Sequence, residues 1–447
     1  MLPSIVERDL EEGLRSFIER EFPIATRGFR RSGRTVIEDY MADKTNFMKG
    51  PWAEIRRPFR TAKVDLAEIL PELCGKAHVA ENMRPYAHQL KAFGRLAAAR
   101  GRTPKSTLIA TGTGSGKTEC FLLPILDRVL ESAAAGRRGI KAIIIYPMNA
   151  LAADQAKRIA KLCHEIKCST GIQLTAGLYV GAPGVDSAVM TESACITSRD
   201  MLRKAPPDIL LTNYKMLDFL LLRAEDKPLW QGAVENLQYL VVDELHTFDG
   251  AQGTDLACLI RRLRDYLMAG DDLACVGTSA TLGGSSGMED LKSYASDVFS
   301  ADFSDQESII TEDRLSPSEY LQQFEDRPYI ATWPNRSRAQ KFFLALQSDR
   351  DFSIERWGSD AIYCWFNRPM RLGAPGTPTW ESAQIWLGKS LPYLEAFEKL
   401  MREDDGVLDL EEMAARWRSS IEALKDFNDF EVLQLLRALI ALVSLAH

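Results

Sequence analysis

The residues best suited to chemistry lie in one glycine-rich stretch, TGTGSGKT, at positions 111–118. The apolar, β-branched run at 107–109 predicts a strand before it, and a helix is predicted to begin at Lys117 and Thr118. A strand, a glycine-rich turn and a helix in this order are typical of a phosphate-binding (Walker A) loop. We expect this loop to bind a nucleotide through Thr111, Gly112, Thr113, Gly114, Ser115, Gly116, Lys117 and Thr118.

The chemistry of this loop follows from its residue types. Glycines let backbone N–H groups approach phosphate oxygens without a side chain in between, and the helix N-terminus adds partial positive charge. Lys117 can reach the β and γ phosphates of ATP, and the Thr118 hydroxyl can hold Mg²⁺. Thr111 is a departure, because the usual eight-residue pattern begins with glycine.

Two further stretches at predicted strand ends carry polar groups. Asp243 and Glu244 follow an apolar run, where Asp243 can hold Mg²⁺ and Glu244 can orient and deprotonate the attacking water. We therefore predict Lys117, Asp243 and Glu244 as the catalytic residues. The tetrapeptide Thr278-Ser279-Ala280-Thr281 ends the next strand, and its hydroxyls could relay between the acid and a bound nucleic acid. A helix cap or a turn explains the same tetrapeptide equally simply.

The elements that must position these groups alternate between strand-like and helix-like patterns from residue 106 to 282. Several of the strand-like runs are continuously apolar, which indicates a parallel sheet covered on both faces, with ligands at the carboxyl ends of its strands. The predicted fold class is therefore α/β, followed by a mostly helical C-terminal region. Strands are predicted at 106–110, 141–146, 173–180, 208–212, 238–243 and 273–277.

Composition limits the partners. The chain has 447 residues and a net charge of −7, so nucleic acid could bind only through a local patch. Residues 27–63, which we call the basic arm, form such a patch, because basic residues outnumber acidic ones there and aromatic residues are interleaved. Its arginines could neutralise phosphates, or the arm could pack its aromatics on the core. The arginines considered are Arg27, Arg30, Arg31, Arg34, Arg56, Arg57 and Arg60.

The cysteine pattern and the hydropathy of the chain indicate in which cellular compartment the protein is expected. The eight cysteines form no C-x-x-C pair, and the cluster of Cys163, His164 and Cys168 has no second ligand pair at zinc spacing. Scattered thiols fit a reducing environment, so a cytoplasmic location is predicted. Neither a signal peptide nor an apolar run of membrane-spanning length is present, and no membrane partner is expected.

Taken together, these motifs resemble superfamily 2 DEAD/DEAH-box helicases. TGTGSGKT, DELH at 243–246 and SAT at 279–281 resemble motifs I, II and III, and the resemblance covers roughly residues 84–282. Within the superfamily, YPMNALAADQ, TNYKML and DELHTFDGAQGTD resemble large bacterial helicases. That group includes the MrfA-type repair helicases and those of Druantia-type anti-phage defence systems.

The resemblance implies roles for further residues. Gln89, in HQ at 88–89, resembles the glutamine that reads adenine. Asn149 lies in a stretch similar to motif Ia, and Thr212 and Asn213 resemble motif Ib, so these three are implied to contact the nucleic-acid backbone. His246, Ser279 and Thr281 are implied to couple the ATP site to the nucleic acid.

The resemblance also implies a function. It indicates an ATP- and Mg²⁺-dependent helicase or translocase that unwinds DNA from 3′ to 5′, with DNA favoured over RNA, acting on a single strand or a duplex junction. A role in anti-phage defence or DNA repair is implied, with a nuclease or other defence proteins as partners. The alternative is a nucleic-acid-binding scaffold whose ATPase only switches the assembly of partners.

The domain expectation follows from the same comparison. We predict an N-terminal helix and basic arm at 1–83, a first RecA-like lobe at 84–283, and a mostly helical region at 284–447 that precedes a second lobe. Six tryptophans between 333 and 417 are expected to be buried aromatics of that region. No run resembles the Q-x-x-G-R-x-G-R motif with its arginine finger, so this chain alone is expected to hydrolyse ATP poorly.

Overall fold

The computed structural model divides the chain into two compact units. Phe59–Arg314 forms the sheet unit, and Met1–Pro58 with Leu315–His447 forms the helical unit. The sheet unit thus extends beyond the predicted lobe, 84–283, at both ends. The structure describes residues 3–21, 52–98, 101–112, 114–181, 186–270, 272–280, 284–324, 333–348, 354–370, 379–403 and 407–446.

Strands are numbered along the described chain as β1 (Trp52–Glu54), β2 (Thr107–Ala110), β3 (Ala142–Tyr146), β4 (Ala176–Tyr179), β5 (Ile209–Asn213), β6 (Tyr239–Val242), β7 (Ala274–Ser279), β8 (Ile309–Thr311) and β9 (Val407–Asp409). Strands β2 to β8 form one sheet in the order β4-β5-β3-β6-β7-β2-β8. All of its pairings are parallel. Each of the six predicted strands is confirmed, and β8 was not predicted.

Both faces of this sheet are buried, as the continuous apolar runs predict. Ile144 and Val241 point into one hydrophobic cluster, whereas their neighbours Ile143 and Leu240 point into another. This alternation is the period-two geometry of a strand. The helices of the sheet unit are α2 (Ala87–Leu96), α3 (Lys117–Ala134), α4 (Asn149–Thr170), α5 (Arg199–Lys204), α6 (Tyr214–Leu222), α7 (Ala233–Asn236), α8 (Gly250–Tyr266) and α9 (Gly284–Phe299).

The helical unit has its own apolar core. Trp333, Trp357, Trp365 and Trp417 are buried in it, and Trp380 and Trp386 pack against it, so the interpretation of these tryptophans as core residues is confirmed. The short strands β1 and β9 pair antiparallel within this unit. Its helices are α1 (Pro3–Glu21), α10 (Pro317–Gln322), α11 (Arg336–Ser348), α12 (Ile354–Phe366), α13 (Trp380–Ser390), α14 (Glu395–Met401), α15 (Leu410–Ser420) and α16 (Asp429–Ala446).

Candidate functional site

The strand register brings the predicted chemical groups to one edge of the sheet. Strands β6, β7 and β2 are adjacent and parallel, with Val242 paired to Gly277 and Ala110 paired to Ser279. Because parallel strands end on the same side, the loops that follow them meet. The phosphate loop, the acidic pair and the serine–threonine turn therefore lie together, and we call this edge the nucleotide end.

Lys117 lies at the centre of the nucleotide end. It is the first residue of α3, and its Nζ lies 3.1 Å from Glu244 Oε1 and 3.4 Å from the Ser279 carbonyl oxygen. The lysine side chain is only 12% exposed, so the ammonium group needs these acceptors. The structure thus brings a cation of the phosphate loop into contact with the predicted water-activating acid.

The acidic pair is held in place by Thr278, whose hydroxyl the sequence placed only in a possible relay to nucleic acid. The Thr278 hydroxyl donates to Asp243 Oδ1 at 2.5 Å and accepts from the Glu244 backbone N–H at 2.9 Å. Glu244 has a φ of +50°, which is uncommon for a residue with a Cβ and is sustained here by its surroundings. The register of β6 and β7 explains this contact. Val242 pairs with Gly277, so the next residues along the two strands, Asp243 and Thr278, are neighbours.

Asp243 is buried beside the polar groups that surround it. Burial raises the pKa of its carboxyl, and the Thr278 hydrogen bond and the Lys117 charge oppose that rise. Such a carboxylate gains from a cation that enters the site, which is the role predicted for it with Mg²⁺.

The unusual start of the phosphate loop has a structural explanation. The Thr111 and Ser115 hydroxyls lie 2.7 Å apart, and both side chains are buried. This hydrogen bond joins the two sides of the loop. A threonine at position 111 therefore contributes a contact that a glycine could not make.

Gly116 has a backbone conformation that favours glycine, and the Gln89 side chain lies against it. Its φ is +75°, and a Cβ at this position would meet Gln89 Nε2 at 2.3 Å. Gln89 Nε2 donates to the Gly116 carbonyl oxygen at 3.3 Å, and Gln89 Oε1 accepts from the Tyr86 N–H. The glutamine thus contacts the phosphate loop directly, and its reading of adenine stays a prediction.

His88 is a second residue whose role was missed. Its ring is fully buried, and Nε2 lies 2.9 Å from the Ser115 carbonyl oxygen. Burial lowers the pKa of His88, so the neutral ring donates from Nε2 to this oxygen. The HQ pair therefore contacts the loop at both Ser115 and Gly116.

The predicted coupling residues meet beside the acids. His246 Nδ1 lies 3.3 Å from the Ser279 hydroxyl and 3.5 Å from Glu244 Oε2. Thr113 and Thr281, the remaining predicted residues of this end, lie outside the described residues. Among the described loop residues, Gly114 is exposed and Thr118 is half-buried.

The predicted nucleic-acid residues lie at the ends of β3, β4 and β5, which we call the strand-binding end. Asn213 Nδ2 donates to Asn149 Oδ1 at 2.7 Å, while Asn213 Oδ1 accepts the Met216 N–H and caps α6. Thr212 is fully buried, and its hydroxyl donates to the Tyr179 carbonyl oxygen. The predicted surface contact of Thr212 is therefore wrong for its side chain, whereas Asn149 is exposed.

The basic arm needs a similar correction. Arg57 is 2% exposed and donates to the carbonyl oxygens of Leu315 and Met401, so it is a structural residue of the helical unit. Arg56 pairs with Glu54, and Arg60 pairs with Asp313. The other arginines of the arm, Arg27, Arg30, Arg31 and Arg34, lie outside the described residues.

The described residues contain neither a metal-binding cluster of ligand side chains nor a membrane-spanning helix. Within the described ranges, no group of three histidine, cysteine or acidic residues could hold a metal ion. The described helices include none that is long and apolar enough to cross a membrane.

The nucleotide end fits ATP and Mg²⁺ in its chemistry. The loop backbone at Gly116 has a φ of +75° and lies against Gln89, and Lys117 supplies a cation for phosphates. Thr118 and Asp243 offer the oxygen ligands that Mg²⁺ prefers.

Comparison with known proteins agrees with this geometry. The family model described as DEAD/DEAH box helicase matches residues 86–289. These residues form a DEAD/DEAH box helicase domain. The match contains the phosphate loop, the acidic pair and Ser279, and it includes both ends of the sheet edge described above.

Curated relatives extend the likeness. The chain is 26% identical to the Druantia protein DruE of Escherichia coli (strain UMEA 4076-1), covering 65% of this chain and 21% of that protein. It is 32% identical to the uncharacterized ATP-dependent helicase YprA of Bacillus subtilis (strain 168), covering 44% of this chain and 23% of that protein. The helicase domain thus lies in a chain that spans about a fifth to a quarter of these relatives' lengths.

A solved structure, that of the DUF1998 helicase MrfA bound to DNA, is also similar. Its TM-score is 0.41 at 21% identity, and the match covers 81% of this chain and 48% of that one.

Proposed function

We propose that this chain is the ATP-binding part of a helicase whose movement along nucleic acid is driven by ATP hydrolysis. The observation that carries the proposal is the contact between Lys117 and Glu244. The neighbouring Asp243 is held beside them by a hydrogen bond from the Thr278 hydroxyl. The Lys117–Glu244 contact joins a phosphate-binding loop to an oriented carboxylate, which is the arrangement that hydrolysis of a phosphoanhydride requires.

Each residue of the nucleotide end has a distinct role in this proposal. Lys117 neutralises the β and γ phosphates, and Thr118 and Asp243 hold Mg²⁺, which neutralises the charge that develops on the phosphates. Glu244 orients a water molecule and takes its proton. The salt bridge between Lys117 and Glu244 must open when phosphates bind, because the lysine then has another anionic partner.

The strand-binding end supplies the nucleic-acid contact. Asn149 and Asn213 lie at the N-termini of α4 and α6, where side-chain amides and backbone N–H groups can donate to phosphates. Such contacts carry no base information, so binding is expected to tolerate any sequence. We propose DNA as the substrate and 3′ to 5′ as the direction, on the strength of the motif resemblance.

The biological role proposed is anti-phage defence or DNA repair. Similarity to a Druantia protein favours defence, with a nuclease or another defence protein as partner. We expect the 447-residue chain to hydrolyse ATP slowly by itself, because its sequence contains no recognisable arginine-finger run.

Strand separation tests the proposal against the switch alternative. A form of the protein that carries the second lobe is mixed with a tailed duplex and ATP, and displaced strand is measured in a single turnover. Displacement with ATP, and none with a non-hydrolysable analogue, is expected. ATP-dependent changes in affinity or assembly without displaced strand would favour the switch.

A further inference from the structure

The phosphate loop has a neighbour that neither its motif nor its helix explains. The Gly112 N–H donates to Glu312 Oε2 at 3.2 Å, across 200 positions of sequence. The register of β2 and β8 causes this contact, because Ala110 pairs with Thr311 and each strand then continues by one or two residues. A carboxylate is thus placed where the loop begins.

A negative charge beside a phosphate site would oppose nucleotide binding unless it were offset. Arg314 offsets it, since its Nε lies 2.9 Å from Glu312 Oε1 and its terminal nitrogen lies 3.3 Å from Oε2. The Arg314 guanidinium in turn lies 3.9 Å from the centre of the Phe59 ring. Both charged side chains are about four-fifths buried, so the pair has a defined geometry.

We propose that Glu312 is a positioning residue of the nucleotide site, which holds the start of the phosphate loop through the Gly112 N–H. This inference rests on the proposed function. Gly112 is buried, and a buried N–H without an acceptor is costly. Without Glu312 the loop must either move or leave this donor unpaired, and nucleotide binding must then also order the loop.

A role in positioning and a role through charge predict opposite results. In Glu312→Ala the acceptor is lost, so nucleotide affinity should fall about tenfold, as expected for a hydrogen bond to a charged group. Glu312→Gln keeps a carbonyl acceptor and should bind within about twofold of wild type. If the carboxylate acted only through its charge, both variants would bind the anionic nucleotide more tightly.

The experiment is a titration of the 447-residue chain with a fluorescent ADP analogue and Mg²⁺. Asp313→Ala is the matched control, because this neighbouring acid pairs with Arg60 and Lys91 and has no described contact with the loop. Its affinity should equal that of wild type. Thermal unfolding without nucleotide is recorded for each variant to show that it folds. Glu312→Asp withdraws the carboxylate by one methylene and should also weaken nucleotide binding. It replaces Glu312→Ala in the test if that variant does not fold.

The outcomes separate the two proposals. Wild type that binds no analogue would contradict the proposed function. Wild type that binds, together with unchanged or tighter binding in both Glu312→Ala and Glu312→Asp, would overturn the role of Glu312 alone. Weak binding in Glu312→Ala that Glu312→Gln does not restore would also overturn it, because the acceptor would then not be what matters.

Discussion

The nucleotide end and the strand-binding end lie on the same sheet edge but are built differently. At the nucleotide end, polar side chains are buried or half-buried and bonded to one another, as in the buried Asp243–Thr278 pair and the half-buried Lys117–Glu244 pair. At the strand-binding end, Asn149 is exposed and Met148 before it is 60% exposed. Chemistry on a phosphate requires charges fixed in advance, whereas contact with a sequence-tolerant backbone requires accessible donors.

The largest expected effect comes from Lys117→Ala. The variant loses the point charge that faces the phosphates, and affinity for Mg²⁺–ATP should fall about 100-fold. Fluorescence titration of the 447-residue chain measures it. An affinity within threefold of wild type would show that the lysine belongs to the Glu244 salt bridge alone.

Glu244→Gln should separate binding from hydrolysis. The amide cannot take a proton from water, so the hydrolysis rate should fall about 100-fold or more while ATP stays bound. The rate is measured under saturating ATP and nucleic acid in a form that carries the proposed second lobe. A normal rate would contradict the assignment of the water-activating acid and leave Asp243 as the remaining candidate.

A smaller effect is expected at the strand-binding end. Asn149→Ala removes one neutral donor, so affinity for a single strand should fall about fivefold, by the same factor for unrelated sequences. Asn213→Ser is the companion variant, because serine keeps the N-cap of α6 and removes only the amide. Fluorescence anisotropy with two unrelated oligonucleotides measures both, and sequence-dependent losses would indicate base contacts.

The smallest effect is expected from Arg56 and Arg60, the two arginines in the described part of the arm that are not buried. Arg56 and Arg60 already pair with acids, so the double variant to glutamine should make the salt slope of single-strand binding shallower by at most about 1.4, which is two contacts of about 0.7 each. Arg57 is left intact because its removal would leave the carbonyl oxygens of Leu315 and Met401 without this donor. An unchanged affinity and salt slope in the folded double variant would mean that these two arginines are structural and do not contact the strand.

Local patterns predicted the sheet and the residue types of the site well. Continuous apolar runs and the loop motif locate β2, β6 and β7 and the groups that follow them. The parts that were missed depend on register between distant segments. Thr278 meets Asp243, and Glu312 meets Gly112, only because particular strands are neighbours in the sheet.

The two expectations that were wrong, those for Arg57 and Thr212, have a different cause from the contacts that were missed. Arg57 and Thr212 were assigned to surfaces from residue type or motif resemblance, and both are buried with their polar atoms bonded to backbone oxygens. An arginine or a threonine is compatible with either environment, and the sequence does not encode which one the tertiary packing selects.

The most direct test measures the affinity for ATP and for a nucleic-acid single strand in one variant of the nucleotide end and one variant of the strand-binding end. Lys117→Ala and Asn149→Ala are each titrated with Mg²⁺–ATP and, separately, with a single strand. The account predicts that Lys117→Ala loses affinity only for ATP and that Asn149→Ala loses affinity only for the strand. If either variant lost both ligands while remaining folded, the division of this edge into a nucleotide end and a strand-binding end would be contradicted.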